Sequence, residues 1–581
     1  MRKCLLLSVA LLFATGIVDA QQATTNRVKP KTGTKAKRQT QTADSEIKAL
    51  REALAAQQLQ IQQLRDEAQK RDAAWQQWEQ QLNALQLKAA QAQSAADAAA
   101  TGSQNTAATL TQVQTAVADL KTTETNTATK IQAEEKRLSE VEQPLQIHFR
   151  GITITPGGFL AANTVFRLHN ENADVLDTYG NVPFSGTANT HLSEFRFTAR
   201  HSRISLLFEG KIHDWKASGY YEMDFEGAAP TATEVQTNSF QPRIRQLWAQ
   251  VQMNNGVSFL GGQAWSLLTT NRRGISPTAM FIPLTLSASY NVGHTYARQA
   301  SFRVTKNFNE KVWLAFAVEN PETVLSVVPA VGATVFGFAG NANTLTPSSG
   351  FVPNATGIST DKAPDLIAKV AFEPGWGHYE IKLLGRFFRD RFGGSNNVTG
   401  GGGVGFGVIL PVIAKKFDFV IQGLGGRGIG RYGTANGSDV TLRPNNTIVP
   451  ILSYQALVGL ELHPTPTWDL WVYGGDEYFG RAAYTTTTGT PPATIGVGYG
   501  SPRNILSGCS LETSALPCNA QNRDVWQVQP GFWYRIWRGK EGTLQYGMSY
   551  SYVHRRPWAG TGGRPVGINN IVMTSFRYYF P

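Results

Sequence analysis

Apolar and polar side chains alternate along many stretches of the chain between residue 145 and its C-terminus. The clearest stretch runs from Leu544 to Tyr552, where Leu, Tyr and Met occupy one face and Gln, Gly and Ser occupy the other. The same period of two occurs at 215–225 and at 379–387. Successive side chains of a strand point to opposite faces. A chain that repeats this pattern so often is predicted to form a transmembrane β-barrel, apolar outside and polar inside.

Short turns divide this region at regular intervals. They lie near Gly210 and at 254–256, 307–311, 374–377, 415–416, 463–467 and 538–542. Longer connections rich in Gly and Thr alternate with them. Seven short turns, with both ends of the barrel on the same side of the membrane, predict an antiparallel barrel of about 16 strands. A soluble β-sandwich is the alternative, but it would show Greek-key spacing and a buried face.

The N-terminal residues have a different composition. Arg2 and Lys3, the apolar residues 5–18 and the small residues at 18–20 are typical of a secretory signal, so we predict a signal peptide at 1–20. The next segment, 21–44, is basic and almost free of apolar residues, and we predict a flexible tail that could touch an anionic polymer such as the cell wall.

One heptad frame runs from Ile47 to Val141, with Leu54 and Ile61 among its core positions. A sustained period of 3.5 residues predicts a coiled coil at 45–143, made by several copies of the chain and lying in the periplasm. The Ala-rich segment 89–108 leaves open whether this is one rod or two helical blocks. The barrel is then predicted to span 145–581.

The chain is basic, with a formal net charge of +12, and residues 145–581 hold 36 basic and 27 acidic residues, a difference of +9. Of the 36, 26 are Arg, whose forked guanidinium suits a partly desolvated anion path. Contacts with anionic lipid headgroups are the alternative for some of them. Cys509 and Cys518 remain after signal removal, and in an oxidising compartment such a pair predicts a disulfide. Two sulfurs without a neighbouring His make an incomplete metal site, so no metal is expected.

A series of short motifs between 241 and 321 resembles a known family. The matching residues are Arg243-Ile-Arg245-Gln-Leu-Trp248, Gly262-Gln-Ala-Trp-Ser266, Arg298-Gln299, Arg303 and Glu319-Asn-Pro321. Together they are similar to DcaP-like outer-membrane porins and, more distantly, to phosphate-selective porins. The resemblance implies a homotrimeric 16-stranded channel that prefers anions, in a family implicated in dicarboxylate uptake.

Strand parity selects the basic residues that should face the lumen. They lie opposite apolar neighbours and are Arg196, Arg200, Arg303, Lys382, Arg386 and Arg535, with Arg577 near the rim. Carboxylates such as Glu222, Asp224 and Glu380 could pair with them across the wall. Strict alternation would turn Arg243 and Arg245 outward, unless a bulge near Gln246 or a subunit interface accommodates them. The resemblance favours the channel for both.

The third outer connection, 269–293, carries Arg272 and Arg273. A loop folded into a barrel often sets the width of the pore, and we predict a constriction here, with a solvated outer loop as the alternative.

These features predict an outer-membrane porin for small hydrophilic and preferentially anionic solutes, with no enzymatic activity, no cofactor and no nucleic-acid partner. Asp476 and Glu477 are adjacent in a strand and point to opposite faces, so they make no catalytic pair. Two other functions remain open. The basic tail and coiled coil could tether the outer membrane to peptidoglycan, and distant strands could assemble a hydrolase site.

Overall fold

A computed structural model describes residues 80–81, 83–92, 94, 115–124, 127, 146–229, 232–326, 359, 361–392, 395–445 and 447–581. The chain divides into two compact units, 1–135 and 136–581. The predicted signal peptide, 1–20, and basic tail, 21–44, lie outside the described residues and stay predictions.

The described residues of the first unit are helical. Leu85, Val117 and Leu120, which occupy predicted core positions of the heptad frame, are exposed in the single chain. Most of 45–143 lies outside the described residues, so the coiled coil stays a prediction. None of the described helices is long and apolar enough to cross a membrane.

The second unit is built from strands joined by loops of very different length. Its strands are β1 (Ile147–Phe149), β2 (Ile152–Arg167), β3 (Glu194–Thr198), β4 (Arg203–Ile212), β5 (Trp215–Asp224), β6 (Arg243–Gln252), β7 (Val257–Trp265), β8 (Arg298–Phe308), β9 (Val312–Glu319), β10 (Asp365–Phe372), β11 (His378–Phe392), β12 (Ser395–Ile413), β13 (Phe417–Arg427), β14 (Val440–Leu442), β15 (Ile448–Pro450), β16 (Leu452–Thr465), β17 (Trp468–Phe479), β18 (Ala482–Thr488), β19 (Ala493–Tyr499), β20 (Asn522–Gly539), β21 (Gly542–Pro557) and β22 (Gly567–Tyr579). Short helical turns lie at Tyr179–Asn181, Ala188–His191, Gly430–Tyr432 and Ser507–Ser510.

Antiparallel pairing between successive strands closes the sheet into a barrel. β3 and β4 lie end to end along β2 and act as one strand, and β22 pairs with β2 through Ala161 and Arg577. The hairpins β14–β15 and β18–β19 stand apart from the barrel, and β1 pairs only with the start of β2. The barrel therefore has 16 strands when β3 and β4 are taken together, and the predicted architecture is confirmed.

Alternation along β21 has the predicted sense. Tyr546, Met548 and Tyr550 are exposed on the outer surface, whereas Ser549 and Ser551 are buried on the inner one. Exposed apolar and aromatic side chains recur on the outer face of the other barrel strands, as lipid contact requires. The polar inner faces predicted for β5 and β11 are also present, since Asp224 of β5 and Glu380, Lys382 and Arg386 of β11 are buried inside the barrel.

All seven predicted short turns join consecutive barrel strands. The turn predicted near Gly210 lies three residues later, at His213 and Asp214, because Gly210 itself is part of β4. His213 adopts a φ of +55° in this turn. Glycine is the usual residue in this conformation, so the sequence does not indicate a turn at His213.

A disulfide joins Cys509 to Cys518, whose Cα atoms are 4.7 Å apart. Cys509 is buried against Phe184 and Leu506, which brings the loop after β2 against the loop before β20. The contact is close, since a Cβ on Gly186 would lie 2.1 Å from the carbonyl carbon of Ser510. The disulfide therefore sits where two outer loops are clamped together.

Candidate pore and arginine cluster

The connection between β7 and β8, residues 266–297, lies inside the barrel, and we call it the inward loop. Phe281, Leu286 and Val292 are buried and pack against inward residues of the wall such as Trp471 and Tyr473. Of the two alternatives for this segment, a constricting loop or a solvated outer loop, the structure shows a loop inside the lumen. It therefore decides which parts of the lumen remain open to water.

The first arm of the inward loop is held by charged residues of β10 and β11. Lys369 Nζ donates to the carbonyl oxygen of Thr269 at 2.7 Å and to Asn271 Oδ1 at 2.9 Å. Lys382 Nζ donates to Thr270 Oγ1 at 2.7 Å, and the Asn271 amide donates to Glu380. These side chains are buried, so they brace the loop against the wall.

Four glycines of β12 face the lumen beside this arm, namely Gly401, Gly403, Gly405 and Gly407. A Cβ on Gly407 would lie 2.8 Å from Thr270 Cγ2 and 2.9 Å from Glu380 Cγ. This stretch lacks the Lys and following helix of a phosphate loop. Its inward row of glycines instead leaves room for the loop to lie against the wall.

Glu477 of β17 holds the second arm. Its buried carboxylate accepts hydrogen bonds from the Gly293 amide at 3.0 Å, from the Thr434 amide at 2.7 Å and hydroxyl at 2.9 Å, and from the Ala435 amide at 3.1 Å. One side chain thus ties the inward loop and the loop after β13 to the same strand.

Backbone packing is unusually close at the same place. A Cβ on Gly475 would lie 1.7 Å from the carbonyl oxygen of Val292, and a Cβ on Gly293 would lie 1.9 Å from that of Ala456. Only glycine allows the loop and the two strands to approach so closely.

Arg272 and Arg273, the predicted constriction residues, have different surroundings. Arg272 Nη2 pairs with Glu461 Oε2 at 2.8 Å near the end of the barrel with the short turns, and Arg273 is mostly exposed and pairs with Glu310. Glu461 also lies with Asp418 and His463, whose ligand atoms are within 4.8 Å of one another, a spacing that could hold a metal ion. The guanidinium of Arg272 already lies near both carboxylates of this group, 2.8 Å from Glu461 and 3.9 Å from Asp418.

Accessibility of the inward side chains differs around the barrel. They are buried on β10, β11, β13, β16 and β17, where the inward loop lies against them. On β4, β5 and β6 several remain half-buried, namely Arg203, Ser205, Ser218, Tyr220 and Gln250. Within the described residues, the water-accessible interior therefore follows β4 to β6.

Guanidiniums gather at one height on this accessible side, and we call Arg203, Arg243, Arg245 and Arg298 the arginine cluster. In the strand register Arg203 of β4 lies opposite Asp224 of β5, and Asp224 lies opposite Arg243 of β6, so the three residues are lateral neighbours. Arg245 Nη1 donates to Asp224 Oδ2 at 2.8 Å.

A bulge brings Arg245 into this cluster. Glu222 pairs with Gln246 but the next residue, Met223, pairs with Ile244, so Arg245 is the extra residue of β6. Arg245 is buried on the inner face and donates to Glu222 at 2.6 Å. Of the two predicted alternatives, a bulge near Gln246 or a subunit interface, the structure shows the bulge.

The inward loop contributes Tyr290 to the cluster. Its hydroxyl accepts a hydrogen bond from Arg245 Nη2 at 2.9 Å. Burial alone would raise the pKa of Tyr290, but the charges of Arg245, Arg203 and Arg298 lower it below its usual value. Several guanidiniums therefore act on this one hydroxyl.

Two members of the cluster have no acidic partner. In the described part of the chain, no carboxylate oxygen lies within 4.0 Å of the Arg203 or Arg298 guanidinium. Arg203 lies over the Phe159 ring at 5.4 Å and Arg298 over Trp265 at 5.5 Å. Each also has one buried nitrogen without a hydrogen-bond partner. No carboxylate of the described residues therefore neutralises these two positive charges.

The remaining predicted lumen residues are mostly paired. Arg196 is half-exposed near Glu194, and Arg200 pairs with Asp174. Arg535 pairs with Asp469. Arg196 and Arg535 lie on the inner face of their strands, as parity predicted, whereas Arg200 lies in the turn between β3 and β4. Each of the three has a carboxylate partner.

Arg303, Lys382 and Arg386 are buried rather than open to water. Arg303 donates to the carbonyl oxygen of Trp265, and Arg386 pairs with Asp365 at 3.2 Å and Asp439 at 2.8 Å. Parity identified the face of the strand on which they lie. It carried no information about the loops that cover them.

His294 of the inward loop gives a test of the packing inside the lumen. Burial, with a smaller contribution from Lys382, lowers its pKa from 6.5 to about 3. The folded protein therefore keeps His294 neutral while the unfolded chain binds a proton below 6.5. Stability is complete above that pH and falls as the pH drops toward 3, by up to about 5 kcal/mol in total.

We expect the His294→Gln variant to lose less stability than the natural chain between pH 7 and pH 4, measured as the unfolding midpoint in detergent. The two proteins should show the same change between pH 7 and pH 8. Equal losses between pH 7 and pH 4 would contradict a neutral, buried His294.

The barrel is similar to the solved outer-membrane channel DcaP of Acinetobacter baumannii, with 17% sequence identity and a TM-score of 0.52 over 74% of this chain and 99% of that one. The chain has a DcaP-like fold. An anion-selective porin from Comamonas acidovorans aligns at 11% identity and a TM-score of 0.40, over 74% of this chain and all of that one. OprB of Pseudomonas putida aligns at 10% identity and 0.41, over 73% and 94%. No family model and no curated protein matches the chain.

The motifs that carried the resemblance converge in this DcaP-like fold. Arg243, Arg245 and Arg298 belong to the arginine cluster. Glu319 accepts a hydrogen bond from the Leu267 amide at 2.7 Å and one from Gln299 at 2.5 Å, which fixes the base of the inward loop. Arg203 was missed, although it shares the inward parity of Ser205 and precedes the apolar Ile204.

Proposed function

We propose that the chain is an outer-membrane porin through which small hydrophilic anions diffuse passively along the β4–β6 side of the lumen. The exposed apolar belt and closed barrel support a membrane location. The observation that carries anion preference is that Arg203 and Arg298, on the water-accessible side, have no carboxylate partner among the described residues.

The rest of the cluster holds these two charges in place. Arg243 and Arg245 are compensated by Glu222, Asp224 and Glu226, so they brace the wall. A passing anion would be attracted by the charges of Arg203 and Arg298 without displacing a carboxylate of the described residues. Because the site is open and the two charges are few, such contacts remain weak enough for release.

We further propose that three copies assemble and that the helical segment lies in the periplasm. The heptad frame supports an oligomer, and the family resemblance implies a trimer.

The test is the reversal potential of the purified protein in a planar bilayer under a KCl gradient. We expect chloride selectivity for the natural chain. In the double variant Arg203→Ala, Arg298→Ala the chloride-to-potassium permeability ratio should fall severalfold, since each charge near the path contributes about 1 kcal/mol, or roughly fivefold.

The matched control is Lys540→Gln, which removes the same charge from the exposed turn between β20 and β21. It should leave the ratio unchanged. Cation selectivity of the natural chain, or equal effects of the control and double variants, would reject the assignment of these two arginines. Absence of any conductance would reject the porin itself.

A further inference from the structure

Four arginines lie together at the end of the barrel that carries the long loops, on its outer surface. They are Arg481 after β17, Arg523 and Arg556 on β20 and β21, and Arg564 in the loop after β21, and we call them the rim cluster. Arg556 pairs with Asp524 across the two strands, and the next pair, Val525 with Arg555, faces the lumen. Asp524 and Arg556 therefore point away from the lumen.

Aromatic rings lie directly beneath the rim cluster. Trp526, two residues further along the outer face of β20, packs against Tyr552 at 5.4 Å and stacks on His554 at 5.2 Å. Two strand residues span about 7 Å. Amphipathic rings of this kind mark the boundary between lipid tails and headgroups. The arginines therefore lie at the height of the headgroups.

The rim cluster has more positive than negative charge. Asp524 is buried and is shared by Arg523 Nε at 2.8 Å and Arg556 Nε at 2.5 Å. Among the described residues, Asp476 is the other outward carboxylate at this height. Four guanidiniums thus face two carboxylates.

Arg481 and Arg564 have no carboxylate partner among the described residues, and both are exposed. Arg481 lies over the Trp558 ring at 4.4 Å, and Arg523 lies over the same ring at 5.9 Å. Burial, then the charges of Arg523 and Arg556, lower the pKa of Arg564. Positive groups therefore converge here beyond what the two carboxylates neutralise.

We propose that the rim cluster binds the phosphate of a lipid headgroup in the leaflet on the long-loop side of the membrane. Guanidinium forks match phosphate oxygens, and the aromatic surface below them matches the start of the acyl region. A free anion in solution would gain no stabilisation from contact with the aromatic surface. The proposal rests on the membrane location proposed above, but not on ion selectivity, because the rim cluster lies outside the lumen.

The experiment uses the full chain in a neutral detergent. Native mass spectrometry would count retained molecules of lipid A with two phosphates and, separately, of phosphatidylcholine. We expect a clear preference for lipid A. In Arg556→Gln, Arg564→Gln this preference should fall roughly tenfold or more, since charge-assisted hydrogen bonds are lost. The control Lys415→Gln, Lys416→Gln, in the turn at the opposite end, should keep it.

Equal retention of both lipids, or full retention by the Arg556→Gln, Arg564→Gln variant, would overturn the proposal. Displacement of lipid A by millimolar inorganic phosphate alone would indicate a small-anion site instead. A change in oligomeric mass without a change in lipid retention would indicate a contact between copies of the chain. Bilayer recordings of the same variant should show unchanged selectivity, which separates this test from that of the porin function.

Discussion

The Gly475→Val substitution is expected to displace the end of the inward loop and to raise the single-channel conductance severalfold, while the barrel still folds. Gly475 faces the lumen, and a Cβ there would lie 1.7 Å from the carbonyl oxygen of Val292. No rotamer relieves a clash with Cβ itself, so the loop must move. The wall is kept by backbone ladders to β16 and β20, which need no side chain at this position.

The matched control is the neighbouring residue. Gly474 lies on the outer face, and a Cβ there meets no atom within 4 Å. Gly474→Val should therefore conduct like the natural chain. Heat-modifiable migration on gels would establish that both variants are folded. Identical conductance for the two variants would show that the end of the loop does not restrict the path.

The Glu477→Ala variant is expected to have a free energy of unfolding about 3–5 kcal/mol lower than the natural chain. The amides of Gly293, Thr434 and Ala435 all donate to this carboxylate in a buried setting. Each donor left without an acceptor costs about 1–3 kcal/mol. The unfolding midpoint in detergent should fall accordingly, and two loops should loosen together.

Glu477→Gln retains one carbonyl oxygen as an acceptor and should lose less stability than Glu477→Ala. Glu310→Ala, in an exposed turn, controls for the loss of one acidic residue. A midpoint for Glu477→Ala close to that of Glu310→Ala would mean that water replaces the carboxylate. Asp476 and Glu477 point to opposite faces of β17, as predicted. The neighbouring carboxylate of Asp476 therefore cannot replace that of Glu477 in the variant, because Asp476 points away from both loops.

The barrel could be predicted from the sequence because the membrane imposes a simple rule on it. Lipid on one side and water or polar loops on the other force a period of two on each strand. Short turns on one side gave the strand number. The irregularity of β6 was one of two predicted alternatives, since either a bulge near Gln246 or a subunit interface would keep Arg243 and Arg245 away from lipid.

The site was harder to predict because it depends on contacts between distant parts of the chain. Parity identifies an inward arginine, but it cannot show whether a carboxylate from another element neutralises it. Arg386 meets Asp365 from β10 and Asp439 from a loop, whereas Arg203 meets no carboxylate among the described residues. Both look alike in sequence. Only the folded structure shows that carboxylates neutralise Arg386, whereas no carboxylate among the described residues neutralises Arg203.

The bulge at Arg245 has a consequence for how many polar groups a barrel wall can present at one height. A regular strand offers the lumen one side chain about every 7 Å. At the bulge, Arg245 and Gln246 are both buried on the inner side, so two consecutive residues contribute at the same level. One inserted residue thus doubles the number of side chains that can offer hydrogen bonds at this height, without another strand. A one-residue deletion or insertion in β6 would therefore change selectivity more than most substitutions.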